Sequence, residues 1–130
     1  MSTIALLLTA WLFGGMAAFS AGFAPLLFKL MPMAEARPML RGAFPYYYAA
    51  VIGLAAVATA AALPVDRMAA LGLALVAVAT VYARQDLMHR VNAATDRGDR
   101  RTFDRLHGAS VVLQLVQLAV AGWALVRIAS

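Results

Sequence analysis

The chain has no cysteine. That excludes disulfides, thiolate metal sites and thiol chemistry. Charge is also scarce: only 13% of the 130 residues are Asp, Glu, Lys or Arg, against about a quarter in a soluble domain. None of the acidic residues lies near the centre of an apolar run, where an ion-coupled carrier would place one. No glycine-rich nucleotide loop and no serine-nucleophile elbow is found, so an enzyme is not the expected class. Residues 2–28 carry no charge, and no Lys or Arg precedes them. A cleavable signal peptide has a basic start and a shorter core, so this stretch is expected to stay as a helix.

Apolar residues fill the space left by charge. They make up 64% of the chain, and mean hydropathy is +0.80. A soluble fold of this length leaves too much surface exposed to hide that content, so a lipid bilayer is the expected surrounding. Crossing hydrocarbon takes about 20 residues at 1.5 Å each. Four segments qualify: about 3–28, 45–63, 68–92 (with 68–83 in lipid) and 103–128. The predicted fold class is all-α: an integral membrane four-helix bundle, one transmembrane domain over residues 1–130. Pro32 and Pro38 mark the first loop, Pro45 opens the second helix, Pro64 falls in the second loop and Gly98 in the third. Pro25 lies inside the first span and is expected to kink its last turn.

Net charge is +5. Lys29, Arg37, Arg41, Arg84, Arg90, Arg97, Arg100, Arg101 and Arg105 cluster around loops one and three, leaving Arg67 and Arg127 for the opposite side. Basic residues beside apolar spans set orientation rather than bind nucleic acid. The expected arrangement is a bacterial-type inner (plasma) membrane, loops one and three cytoplasmic, and both termini on the non-cytoplasmic side. Tyr46, Tyr47 and Tyr48 then fall at the cytoplasmic interface. The third loop's six arginines, interleaved with Asp86, Asp96, Asp99 and Asp104, suggest a surface ion-pair network, with anionic lipid as an alternative partner.

Three groups of residues invite a function. Gly14, Ala18 and Gly22 recur every four residues, with Gly15 beside them. Such a track lets another helix approach closely, within the chain or as a dimer seam. His107, Ser110, Gln114 and Gln117 fall within an arc of about 80° on helix four. Amides and hydroxyls do not face acyl chains unpaired. They therefore point into a polar ligand-binding cavity or form interhelical hydrogen bonds. His89 and Asn92 share the end of helix three with Tyr82, Gln85 and Asp86. Asp86 lies within a turn of His89 and is placed to orient its ring. With His107 on a neighbouring helix, His89 would make a metal or haem pair, copper being the other candidate. The plainer role for both histidines is to cap helix ends.

The run Phe103-Asp104-Arg105-Leu106-His107-Gly108-Ala109-Ser110, continued by Val111-Val112-Leu113-Gln114-Leu115, resembles the transmembrane protein 205-like family, also known as domain of unknown function 4149. Gly14-Gly15, the Pro25 to Phe28 stretch, Phe44-Pro45-Tyr46-Tyr47 and the Val91-Asn92 to Asp96 stretch are similar too. The resemblance implies four membrane helices. It also points, through a relative associated with platinum-drug resistance, to handling of soft metals or drugs. Gln114 departs from the family's asparagine and reaches one methylene further, which loosens the expected interhelical bond. The functional expectations are therefore a membrane protein that binds or helps to move a metal, haem or small amphiphile; an accessory subunit pairing with itself or other membrane proteins; and a haem-dependent oxidoreductase.

Overall fold

The computed structural model describes residues 2–130. Among them the chain is helical almost throughout. Helix α1 (Ser2–Ala17) passes through a wide π-helical turn (Ala18–Phe23) into α2 (Ala24–Leu30). Helix α3 is Met33–Ala62 and α4 is Arg67–Tyr82. A second π-helical turn (Ala83–Leu87) leads to α5 (Met88–Arg97), and α6 is Arg100–Ala129. These form four spans long and apolar enough to cross a membrane: Ser2–Leu30, Ala34–Ala62, Arg67–Arg97 and Arg100–Ala129. Each would reach about 44 Å, beyond the roughly 30 Å of hydrocarbon, so their ends project into the headgroup layer.

The first and third spans each pack against the second and fourth, giving a four-cornered bundle. Its core is built largely of alanine, with Ala5, Ala55, Ala58, Ala69, Ala70 and Ala124 essentially inaccessible. Small side chains bring helix backbones together and supply dispersion contact that lipid cannot replace. Leu12, Met16, Leu73 and Val76 fill the wider gaps. Outward lie large apolar side chains such as Leu7, Trp11, Leu75, Val78, Val112 and Val126. The chain exposes 7649 Å², more than the roughly 6,600 Å² of a soluble monomer of its mass. This is a multi-pass membrane protein.

Helix extents differ from the sequence expectation. The second helix begins at Met33, not near Pro45, and encloses Pro38 and Pro45. A proline forfeits one backbone donor and crowds the carbonyl four residues back, which a long helix held by neighbours can absorb. Arg84 from the third span donates from Nε to the Pro45 carbonyl at 3.2 Å. The third helix runs on to Arg97, where Gly98 stops it at φ 68°, a left-handed conformation that glycine adopts without strain. Loops one and three therefore shrink to a few residues. Pro25 does not break the first span. It follows the π-helical turn, in which the Ala24 amide reaches back to the Phe19 carbonyl.

Ion pairs tie the projecting ends. Arg41 grips Asp96 through two bonds of 2.8 and 3.0 Å at the basic end. At the opposite end Asp66 caps α4, accepting from the Met68 and Ala69 amides at 3.0 and 3.3 Å. Arg127 donates to the same carboxylate at 2.9 and 3.2 Å, and its guanidinium lies over the Trp123 ring at 5.4 Å. The Arg127 hydrogen bond, helped by the backbone donors, holds the Asp66 carboxyl below its usual range. A lowered folded-state value means that the stabilisation is present above the unfolded carboxylate pKa and fades as pH falls through the folded one. Thermal stability in detergent is therefore expected to be flat from neutral pH to mildly acidic pH and to drop under stronger acid. Asp66→Asn should blunt that drop while keeping the helix cap, and Asp66→Ala should lose both. An acid limb unchanged in both variants would contradict the assignment.

Candidate functional site

The polar stripe of the fourth span divides in two. Gln117 is buried, and its amide donates to Thr80 Oγ1 at 2.7 Å and to the Val76 carbonyl at 3.2 Å, both on the third span. Thr80 in turn donates to that same carbonyl at 2.7 Å. One turn toward the basic end, the half-buried Gln114 amide donates to Ser20 Oγ at 2.6 Å and Tyr47 Oη at 2.7 Å. That clasp joins the fourth span to the first and second. The extra methylene of glutamine does not loosen the contact; it lets one amide reach two helices.

The Gln114 clasp sits at the π-helical turn of the first span. There the wider coil turns Phe19 and Ser20 toward the bundle, and Ser20 donates to the Met16 carbonyl at 2.7 Å. Phe19 stacks on Tyr47 with centroids 4.0 Å apart and meets Phe44 edge-on at 5.3 Å. Tyr48 joins the cluster, 5.5 Å from Tyr47 and from Phe44. Tyr46 is exposed, whereas Tyr47 and Tyr48 turn inward, so only one of the three tyrosines is simply an interfacial ring.

The other half of the stripe stays open. His107 is exposed, contrary to the inward orientation expected for it, and Ser110 is half-buried. The reason lies in the first span: no residue of Ala18–Leu30 is buried, so that segment does not cover the fourth span below the clasp. His107 stacks on Phe103 at 5.5 Å. Neither the His107 nor the Ser110 side chain has a hydrogen-bond partner among the described residues. His89 is exposed too, and Asn92 is half-buried. Asp86 does not orient His89; it pairs with Arg90 at 3.2 Å, because a guanidinium one turn on is the stronger partner for a carboxylate. No group of three or more His, Asp or Glu side chains is placed to hold a metal among the described residues.

The small-residue track also faces outward. Gly14, Ala18 and Gly22 are exposed, and a Cβ built on Gly14, Gly15 or Gly22 would enter open space. They do not pack within the chain. The glycines that do are Gly72, against Trp123 and Val120, and Gly122, against the Phe13 ring. Neither belongs to a repeating pattern in the sequence, so spacing alone does not reveal them. Ser20, Tyr47 and Thr80, the partners of the two amides, were likewise missed. A hydroxyl in an apolar span was the available signal.

The family model described as Domain of unknown function (DUF4149) matches residues 7–100. The chain belongs to this family. The match takes in Ser20, Tyr47 and Thr80, side-chain acceptors of the two clasps, and ends at Arg100, the first residue of the fourth span. The Phe103 to Ser110 motif of this DUF4149 protein therefore lies beyond the matched stretch. No curated protein and no solved structure matches the chain.

Proposed function

We propose that this DUF4149 protein is a membrane-embedded accessory subunit whose first span receives a helix of another membrane protein. The outward Gly14, Ala18 and Gly22 carry this reading. A close-approach surface has no value against mobile acyl chains, but it gains dispersion contact against a second helix. The basic half of the same span has no fully buried residue and leaves Phe23, Leu26 and Phe28 exposed. The two amide clasps point the same way, because the interior amides that would contact a permeating solute are already bonded, although the buried Thr9 hydroxyl is left without a partner among the described residues. The basic residues around loops one and three support a plasma-membrane orientation with those loops in the cytoplasm.

The absence of native cysteine makes the test direct. Ala18→Cys in native membranes should yield one discrete cross-linked product, with a partner protein or with a second copy. Gly14→Ile combined with Gly22→Ile should abolish it without lowering the melting temperature, since both positions open onto free space. A product that survives the double substitution would rule out this face.

A second reading rests on His107 and Ser110, whose side chains remain available for a small amphiphile or a soft metal. The resemblance to transmembrane protein 205-like proteins favours the same class. Metal bound to purified protein and lost in His107→Ala would support it. A Soret band would bring the haem-dependent reading back into play.

A further inference from the structure

We propose that the cleft between the third and fourth spans at their basic ends holds the phosphate of an anionic phospholipid. The cleft measures about 410 Å³ and is lined by Arg90, Ala93, Arg97, Thr102, Arg105 and Leu106. Three guanidinium groups thus share one concavity with a hydroxyl and a small apolar floor. Two of them are only partly engaged. Arg90 meets Asp86 through Nε at 3.2 Å, and Arg97 meets Asp99 at 3.7 Å, beyond good hydrogen-bond length. Asp99 is committed elsewhere, accepting from the Thr102 amide and hydroxyl at 3.1 and 2.6 Å. Arg105 has no ion-pair partner among the described residues. Two carboxylates against three guanidinium groups leave a positive excess. Guanidinium forks match phosphate oxygens in geometry as well as charge.

The position of the cleft favours a lipid over a free anion. Leu106 begins the apolar run of the fourth span, so Arg105 stands at headgroup depth, its stem against hydrocarbon and its charge outside. Arg105, Ala109, Val112 and Val116 follow one another at spacings of four, three and four, and therefore share one face of the helix. Val112 and Val116 are 61% and 53% exposed. An acyl chain descending from a phosphate at Arg105 lies along that apolar strip. Electrostatic attraction at the interface and apolar contact below it then act on the same molecule. This site is independent of the docking face on the first span.

Native mass spectrometry of the full chain released from detergent tests the assignment. Phosphatidylglycerol should remain bound more tightly than phosphatidylcholine of the same chains. Arg105→Gln and Arg97→Gln should each weaken phosphatidylglycerol retention about fivefold. Arg100→Gln and Arg101→Gln, whose residues lie outside the cleft lining, should change it little. All four positions are exposed, and unchanged melting curves would verify that each variant folds. Equal loss in all four variants would mean diffuse surface attraction and would overturn the site. Displacement of the lipid by millimolar inorganic phosphate would overturn the lipid in favour of a free anion. Equal retention of both lipids would overturn recognition of an anionic headgroup, because phosphatidylcholine carries the same phosphate beside a compensating choline cation.

Discussion

Replacing Gly72 by leucine is expected to destabilise the bundle by roughly 1–3 kcal/mol, the usual range for overpacking a tight contact. A Cβ at this position would stand 2.9 Å from Trp123 Cζ3 and 3.2 Å from Val120 Cγ1. The indole can yield only by giving up its contact with Arg127, which is itself anchored on Asp66. Whatever the ring does not absorb pushes the third and fourth spans apart, which withdraws support from the neighbouring Gln117 bonds. Gly53→Leu makes the same chemical change on the second span, where a Cβ meets nothing. It should stay within about 0.5 kcal/mol of the parent. Unfolding in mixed detergent micelles measures both. Trp123→Ala added to Gly72→Leu should recover part of the loss, since it removes the obstructing ring. A Gly72→Leu protein as stable as the Gly53→Leu control would show that the spans are not so closely apposed.

The second large effect is expected at Gln114. Gln114→Leu removes two interhelical bonds at once and should cost about 1–2 kcal/mol. Ser20 keeps its bond to the Met16 carbonyl, whereas the Tyr47 hydroxyl loses its amide donor in a half-buried setting. Tyr47→Phe alone should cost less, and the two changes together should fall short of their sum, as coupled partners do. Gln114→Asn, one methylene shorter, should land between parent and Leu because it reaches one partner rather than two. The structural consequence is more specific than the energetic one. The clasp is a polar tie between the fourth span and the first, whose basic half has no fully buried residue. Spin labels at Phe23 and Val111, introduced as cysteines into the cysteine-free chain, should report a longer and broader separation in Gln114→Leu. An unchanged distance distribution would mean that the aromatic stack of Phe19 on Tyr47 holds the segment without the amide.

The four spans were legible because hydrocarbon imposes one simple demand, a long uncharged run, and the sequence meets it four times. The inward direction of Gln114 and Gln117 was legible for a related reason, since an amide in lipid must find a partner. Which partner could not be read. Ser20, Tyr47 and Thr80 lie on three different spans, and their meeting depends on rotations that helical spacing does not fix. His107 shares the stripe with Gln117 yet ends up exposed, because burial depends on whether the first span covers that level of the bundle. The prolines misled for the opposite reason. Pro38 and Pro45 read as punctuation by the rules of soluble chains, but a proline removes only one donor, and packing around the second span tolerates the gap. Glycine spacing was equally ambiguous: a track every four residues looks the same whether it faces a neighbour within the chain or the world outside. Gly72, the closest contact, stands alone and leaves no pattern.

The wide turns at Ala18–Phe23 and Ala83–Leu87 carry a final consequence. Each accommodates about one residue more than an ordinary turn, so the helix beyond it is advanced by roughly 100°. The first span is thereby two rods set at a fixed phase angle, one wedged into the alanine core and the other clear of it. Substitutions on the outer rod can therefore change the surface it presents while the inner rod keeps its packing.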